Sequence, residues 1–286
     1  MRIDSTLQIS RKMKKTPFII LLSLTLLAIA SCAHSKQNPI TANKSVKDSV
    51  ENCADNNLDN TQIPVYARRL IKAYPEQKMR YTDNSICFPD GTSIIYDDKK
   101  NKDFTKMLDD SDIEDMFSVP YDTIGKPKYL SDAGRSRCDA LFKKMYGASA
   151  EAVRKNLVTV EWFGQKILFT QVNGADKQLQ KVAAELANIP NIRNYLKSSG
   201  TFYWRKVRGA NRQSAHSYGI AFDIGVDHSN YWLWSNPGAK ETDKIKYVNR
   251  FPMEIVKVFE KHGFIWGGRW YHYDTMHFEY RPELID

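Results

Sequence analysis

Two short stretches hold residue types that could do chemistry together. "SAHSYGIAFDIGVD" (Ser214 to Asp227) offers His216 and Asp223. "GGRWYHYDTMHFEY" (Gly267 to Tyr280) offers His272, Asp274 and His277. Along a strand, side chains alternate between faces. Ile220, Phe222 and Ile224 then point one way and Ala221 and Asp223 the other, so Asp223 emerges opposite an apolar layer. His216 precedes that strand on a turn loosened by Gly219, and a loop there can fold back to bring both side chains to one point. In the second stretch Met276, Phe278 and Tyr280 alternate with His277 and Glu279, and Asp274 sits just before the strand.

Two histidines and one carboxylate suffice to hold a catalytic Zn²⁺, with a fourth position left for water. The metal brings the pKa of that water toward about 7, and a neighbouring carboxylate can take its proton. Asp274 is the candidate base. Taken alone, the first stretch is equally an ordinary strand with a stray histidine and aspartate, and spacing does not decide between the two.

The paired stretches resemble a known family. "SAHSYGIAFDI" with "GFIWGGRWYHYDTMHFEYRPEL" is similar to the zinc peptidases of the D-alanyl-D-alanine carboxypeptidase family, which includes vancomycin-resistance carboxypeptidases and the L-alanyl-D-glutamate peptidases of phage endolysins. The family pattern, SxHxxGxAxD followed by D/E-x-x-H, is filled at every key position, and the resemblance runs from about Gly200 to Leu284. It implies a hedgehog-like α+β fold with His216, Asp223 and His277 as zinc ligands and Asp274 as general base. It places Arg205, in "FYWRKVRG", on a substrate carboxylate or the scissile carbonyl, with Arg208 as the competing choice. The implied substrate is the peptide stem of peptidoglycan, cut at a bond involving a D-amino acid. That bond is either D-Ala–D-Ala or L-Ala–D-Glu; aspartate at the base position is typical of the second branch. The runner-up is a non-catalytic, peptidoglycan-binding envelope lipoprotein that keeps the fold.

Around these residues the expectations are narrower. Ser214 either caps a turn or hydrogen-bonds near the substrate. His272 is expected at the site, Trp270 facing the cleft and Trp266 in the core. Glu279 either orients a ligand or pairs with Arg281. His228 reads as a loop residue, since three ligands are already supplied, and His262 as a helix-end cation.

The elements that must position these residues mix without regular βαβ alternation. This points to α+β, with a small, mostly antiparallel sheet flanked by helices. "IPVYARRLIKAYP" reads as a short helix ended by Pro75, and "ICFPDGTSIIYDD" as a hairpin around Pro89-Asp90-Gly91. Cys138, Leu141, Phe142 and Met145 share one helical face before Gly147. "LVTVEWFGQKILFTQV" reads as a hairpin turning near Gly164. "ADKQLQKVAAELAN" is an amphipathic helix with Leu179, Val182, Ala183 and Leu186 on one stripe. "GTFYWRKV" reads as a strand. Pro252 opens a helix that Gly263 ends. The acidic "DDSDIEDMF" (Asp109 to Phe117) lacks the glycine and final glutamate of a calcium loop and reads as a solvated loop or helix start.

At the N-terminus, residues 1–31 read as a lipoprotein signal: basic "RKMKK", then apolar "TPFIILLSLTLLAIAS", too short to span a bilayer. Cys32 follows in "IASC", similar to the lipobox whose cysteine carries lipid. Residues 32–60 are polar and read as a tether. Residues 61–156 have no assigned role, and 157–286 form the expected peptidase domain. The net charge of +9 over 286 residues suits an envelope polymer with carboxylates, and export argues against nucleic acid. The chain is thus expected in a bacterial envelope, lipid-anchored on the periplasmic face. Export also permits a disulfide, for which Cys87 with Cys138 is the expected pair.

Overall fold

Proline and glycine punctuate the chain where the sequence places them. The structure, a computed structural model, describes residues 62–285; the expected signal, the expected lipidation site Cys32 and the expected tether lie outside the described residues. Helix α1 (Val65–Ala73) follows Pro64 and stops before Pro75. Strands β1 (Arg80–Thr82), β2 (Ser85–Cys87) and β3 (Ser93–Ile95) form an antiparallel meander. The expected β2–β3 hairpin is there, with Gly91 at φ +82° in its turn and β1 added on the far side. Helix α2 (Phe104–Asp109) is capped by Asp103, whose carboxylate accepts from the Lys106 amide at 2.8 Å.

The acidic stretch after α2 is not a solvated loop. Asp112 and Asp115 are buried around the Lys102 ammonium, at 3.2 and 2.5 Å, and Asp98 lies 3.2 Å from the same nitrogen. A buried ammonium needs carboxylates around it, and the aspartates supply them.

Helices α3 (Asp139–Tyr146) and α4 (Ala150–Arg154) lead to the hairpin β4 (Leu157–Trp162) and β5 (Gln165–Thr170), which turns at Phe163-Gly164. Helix α5 (Ala175–Leu186) buries Leu179, Val182 and Leu186, as its stripe predicts, and leaves Ala183 partly exposed. Then come β6 (Ser198–Gly200), β7 (Ala221–Ile224), the short α6 (Trp232–Ser235), α7 (Met253–Lys261), β8 (Phe264–Trp266) and β9 (His277–Tyr280).

The last four strands form one antiparallel sheet in the order β6-β7-β9-β8. The fold is α+β, as expected. One face of the sheet is the core: Phe222 meets Trp162 edge-on at 4.7 Å, and Phe278 stacks on Phe259 of α7 at 4.0 Å. Both phenylalanines are fully buried, and each such burial stabilises by about 1.5–3 kcal/mol. The same core takes in Leu70, Ile86, Phe117, Leu141 and Phe142, so residues 62–156 and 157–285 pack around one interior.

Two further expectations fail. "GTFYWRKV" contributes only Gly200 to a strand; the rest is irregular, with one isolated bridge between Lys206 and Gln213 and scattered hydrogen bonds to the 3₁₀ turn. Its apolar residues do not alternate between core and solvent, and Tyr203 is 65% exposed. The pairing of Cys87 with Cys138 is also not made. Cys87 is disulfide-bonded, whereas Cys138 is free and buried at the start of α3. Its place on that helix's apolar face makes it a core residue, and burial pushes its thiol up to about 11.

Candidate metal centre and active site

Register brings the two motifs together. Asp223 on β7 lies directly opposite His277 on β9, and Ala221 opposite Glu279. These side chains occupy the sheet face away from Phe222 and Phe278. His216 arrives from the 3₁₀ turn Ala215–Tyr218 just before β7. The chain reverses at Gly219, which sits at φ +69°. A Cβ there would lie 2.5 Å from Leu157 Cδ2, so the turn requires glycine twice over.

The Asp223 carboxylate lies between the two imidazoles. Oδ2 is 3.2 Å from His216 Nε2, and Oδ1 is 2.9 Å from His277 Nδ1. The rings stand at 60° with centroids 5.0 Å apart. Each histidine is held from behind on its other nitrogen. His216 Nδ1 donates to the Thr201 carbonyl at 2.6 Å, and His277 Nε2 donates to Glu279 Oε1 at 2.9 Å. Those outer acceptors fix the tautomers and turn His216 Nε2 and His277 Nδ1 toward one point. One ligand atom from each of His216, Asp223 and His277 falls within 4.8 Å of the others.

The electrostatics fit a cation at that point. Burial works against charge on His277, yet Asp223 and Glu279 outweigh it and push its pKa up to about 10. Burial likewise opposes charge on Asp223, while His216 first and then His277 hold it well below the usual carboxylate range. Without metal, the carboxylates therefore hold a proton on an imidazole. A divalent cation bound to two neutral imidazoles and a carboxylate takes the place of that proton. The donor set matches Zn²⁺ with one position open.

Asp274 lies beside this set, one turn before β9. Gly267 fixes it: the Asp274 amide donates to the Gly267 carbonyl at 3.0 Å. A Cβ on Gly267 would lie 2.5 Å from the Asp274 carbonyl oxygen. From the other side, Tyr231 bridges to Asp274 and the Trp232 amide donates to the Tyr273 carbonyl at 2.9 Å. Asp274 Oδ1 is buried without a hydrogen-bond partner among the described residues. Burial first, and the Asp223 charge second, push its pKa up to about 7. That value suits a carboxylate that must both take and return a proton near neutral pH.

All of these groups line one cavity of about 590 Å³. Its mouth carries Arg205 and Arg208, both exposed. Arg205 donates to the Lys206 carbonyl at 3.3 Å, so neither arginine is closed off from a ligand by an ion pair with a described residue. Ser214 is buried in the wall, its amide donating to the Arg205 carbonyl at 3.0 Å. Trp270 lines the cavity beside His277, and Trp266 is in the core, as expected. Trp234, 56% exposed at the rim, is an aromatic the sequence reading did not single out. His228 packs at a tilt against Tyr195, and His262 bonds Glu185 at 2.8 Å; neither lines the cavity.

His272 lies in the wall and is almost fully buried. Asp132 grips it twice, accepting from its amide at 3.0 Å and from its Nδ1 at 2.5 Å. Its Nε2 has no hydrogen-bond partner among the described residues. Asp132, Glu241 and His272 could be taken for a second metal group. However, Arg135 already bonds both carboxylates, at 2.7 to 2.9 Å, and supplies the cation there. Lys102 does the same for the acidic groups around Asp112. Sequence reasoning missed Asp132, Arg135, Arg137 and Glu241. Asp132 and Arg135 are only three residues apart, but the groups that tie these residues to the site, His272, Glu241 and Glu279, lie more than 100 residues away along the chain from Asp132, Arg135 and Arg137.

Residues 208–280 match the family model described as D-alanyl-D-alanine carboxypeptidase. The match covers both motifs and less than half of the chain. It supports the resemblance to the zinc D-alanyl-D-alanine peptidases and, with it, a peptidase. Neither the curated proteins nor the solved structures offer a match.

Proposed function

We propose that this protein is a zinc-dependent peptidase that hydrolyses the peptide stem of peptidoglycan at a bond involving a D-amino acid. The bond is that of a D-Ala-D-Ala carboxypeptidase or of an L-Ala-D-Glu endopeptidase. The observation that carries this reading is the convergence of His216, Asp223 and His277 in one cavity beside Asp274, whose Oδ1 is buried. His216 Nε2, Asp223 and His277 Nδ1 would hold the metal. When bound, Zn²⁺ acts as a Lewis acid on the scissile carbonyl and acidifies water beside it.

The remaining chemistry belongs to the chain. Asp274 accepts a proton from the attacking water at its carboxylate and delivers it to the leaving amine. Arg205 or Arg208 at the mouth binds a substrate carboxylate. Trp270 and the rim aromatics flank the peptide. The family match and the carboxylate-rich nature of stem peptides support this substrate class for a chain of net charge +9. The signal-like N-terminus and Cys32 further suggest a lipid-anchored envelope protein that reaches the cell wall from a membrane.

A non-catalytic wall-binding protein is the competing reading, and the retained Asp274 weighs against it. The test is Asp274→Ala, assayed for stem-peptide hydrolysis and zinc content together. Hydrolysis is expected to fall by about 10²–10⁴-fold with zinc retained. A variant that cleaves at the wild-type rate would remove Asp274 from the mechanism.

A further inference from the structure

Beneath the metal centre, a segment far from both motifs holds them in register. Ser131 to Arg137 lies outside the stretch matched to the family, in the region to which the sequence assigns no role. The Ser131 carbonyl accepts from the Tyr271 amide at 2.9 Å, and the Ala133 carbonyl accepts from Trp270 Nε1 at 2.6 Å. Arg137 makes the most direct connection. Its side chain is 10% exposed. Two carbonyls anchor it, Gly134 O to Nη1 and Gln213 O to Nη2, each at 3.2 Å. So anchored, Nη1 reaches Glu279 Oε1, also at 3.2 Å.

Glu279 Oε1 is the same oxygen that accepts from His277 Nε2 at 2.9 Å. The other oxygen, Oε2, lies 3.4 Å from Arg281 Nη1. Glu279 is 1% exposed, so its carboxylate is largely shielded from bulk solvent. The carboxylate is thus gripped on both oxygens by guanidiniums, and its orientation sets that of the His277 ring. A carboxylate behind a metal-bound imidazole fixes the ring's tautomer and raises its basicity. A carboxylate that could rotate would do neither. Arg281 alone, at the longer distance and on the far oxygen, does not fix the atom that touches His277.

We propose that Arg137 is a positioning residue for the metal centre, acting through Glu279 on His277, so that the 131–137 segment is an integral part of the site. This rests on the zinc reading above. An arginine that only filled space would affect folding but leave the metal affinity of the folded protein unchanged.

The experiment is a zinc dissociation constant, measured by competition with a chromophoric chelator and referred to the folded fraction by circular dichroism. Four full-length proteins are compared: wild type, Arg137→Met, Glu279→Gln and the double variant. Arg137→Met is expected to bind zinc about 10–100-fold more weakly. In the Glu279→Gln background the same change is expected to add less than about threefold, because its route is already cut. Arg137→Met binding within about twofold of wild type overturns the inference. So does an equal loss in both backgrounds. If Arg137→Met does not fold, Arg137→Lys keeps the buried charge but cannot span both carbonyls and Glu279. It is then expected to bind zinc about fivefold or more weakly, and wild-type affinity in that variant overturns the inference. A wild-type protein that binds no zinc overturns the metal reading itself and this inference with it.

Discussion

Asp274 is held where a carboxylate is least comfortable, and this can be measured without any substrate. Its pKa in the fold is pushed up to about 7 by burial and by the neighbouring Asp223. In the unfolded chain an aspartate titrates near about 3.9. Between those values the folded protein binds more protons at this site than the unfolded one, so stability falls as pH rises through the window. At about 1.36 kcal/mol per pH unit, the difference amounts to a ceiling of about 4 kcal/mol above pH 7. His277 and His216 work in the opposite direction and are already included in that value. Asp274→Asn keeps the shape and removes the charge. In chelator-treated protein, urea unfolding of wild type and variant is expected to give similar stabilities near pH 4. At pH 8 the variant is expected to be more stable by about 2–4 kcal/mol. A variant no more stable at pH 8 than at pH 4, relative to wild type, would show that Asp274 is not the strained group described here. With zinc bound, the advantage is expected to shrink, because a cation near Asp223 and Asp274 stabilises the ionised carboxylate.

Three further perturbations separate position, recognition and folding. Gly267→Ala drives a methyl against the Asp274 carbonyl; stem-peptide turnover is expected to fall by about 10²-fold with zinc content unchanged, as read by steady-state kinetics and metal analysis. Replacing Arg205 and Arg208 by Ala leaves the stability within about 0.5 kcal/mol, raises KM and weakens its dependence on salt between low and high ionic strength. Lys102→Met leaves the buried Asp112 and Asp115 without their cation, while Asp98 keeps Lys100 at 2.9 Å, and is expected to lose about 3–5 kcal/mol in urea unfolding.

What could be read from the sequence follows from the range of the physics involved. The alternation around Asp223 and His277 is local, so their shared face and the apolar layer behind them were legible, and the register across β7 and β9 bears that out. Helices α1, α3, α5 and α7 announced themselves through apolar stripes and through proline or glycine ends. "GTFYWRKV" looked like a strand by residue type, but its backbone folds against the 3₁₀ turn: Ser217 Oγ bonds the Tyr203 and Arg205 carbonyls. The acidic run near Asp112 looked solvated because Lys102, its cation, belongs to another loop. Asp132, Arg137 and Glu241 were invisible for the same reason, since ion pairs formed across long sequence separations leave no periodic trace. The cysteine pairing failed because Cys138 lies on the apolar face of α3, where packing, and not a bridge, decides its position.

The most direct test of the central claim takes one preparation of the full chain and makes two readings from it. Zinc is quantified per chain, and purified muropeptides are digested and resolved by mass spectrometry. Stoichiometric zinc, together with new fragments cut at a D-amino-acid bond and lost on metal chelation, is the expected result. No zinc above trace and an unchanged muropeptide profile would contradict it.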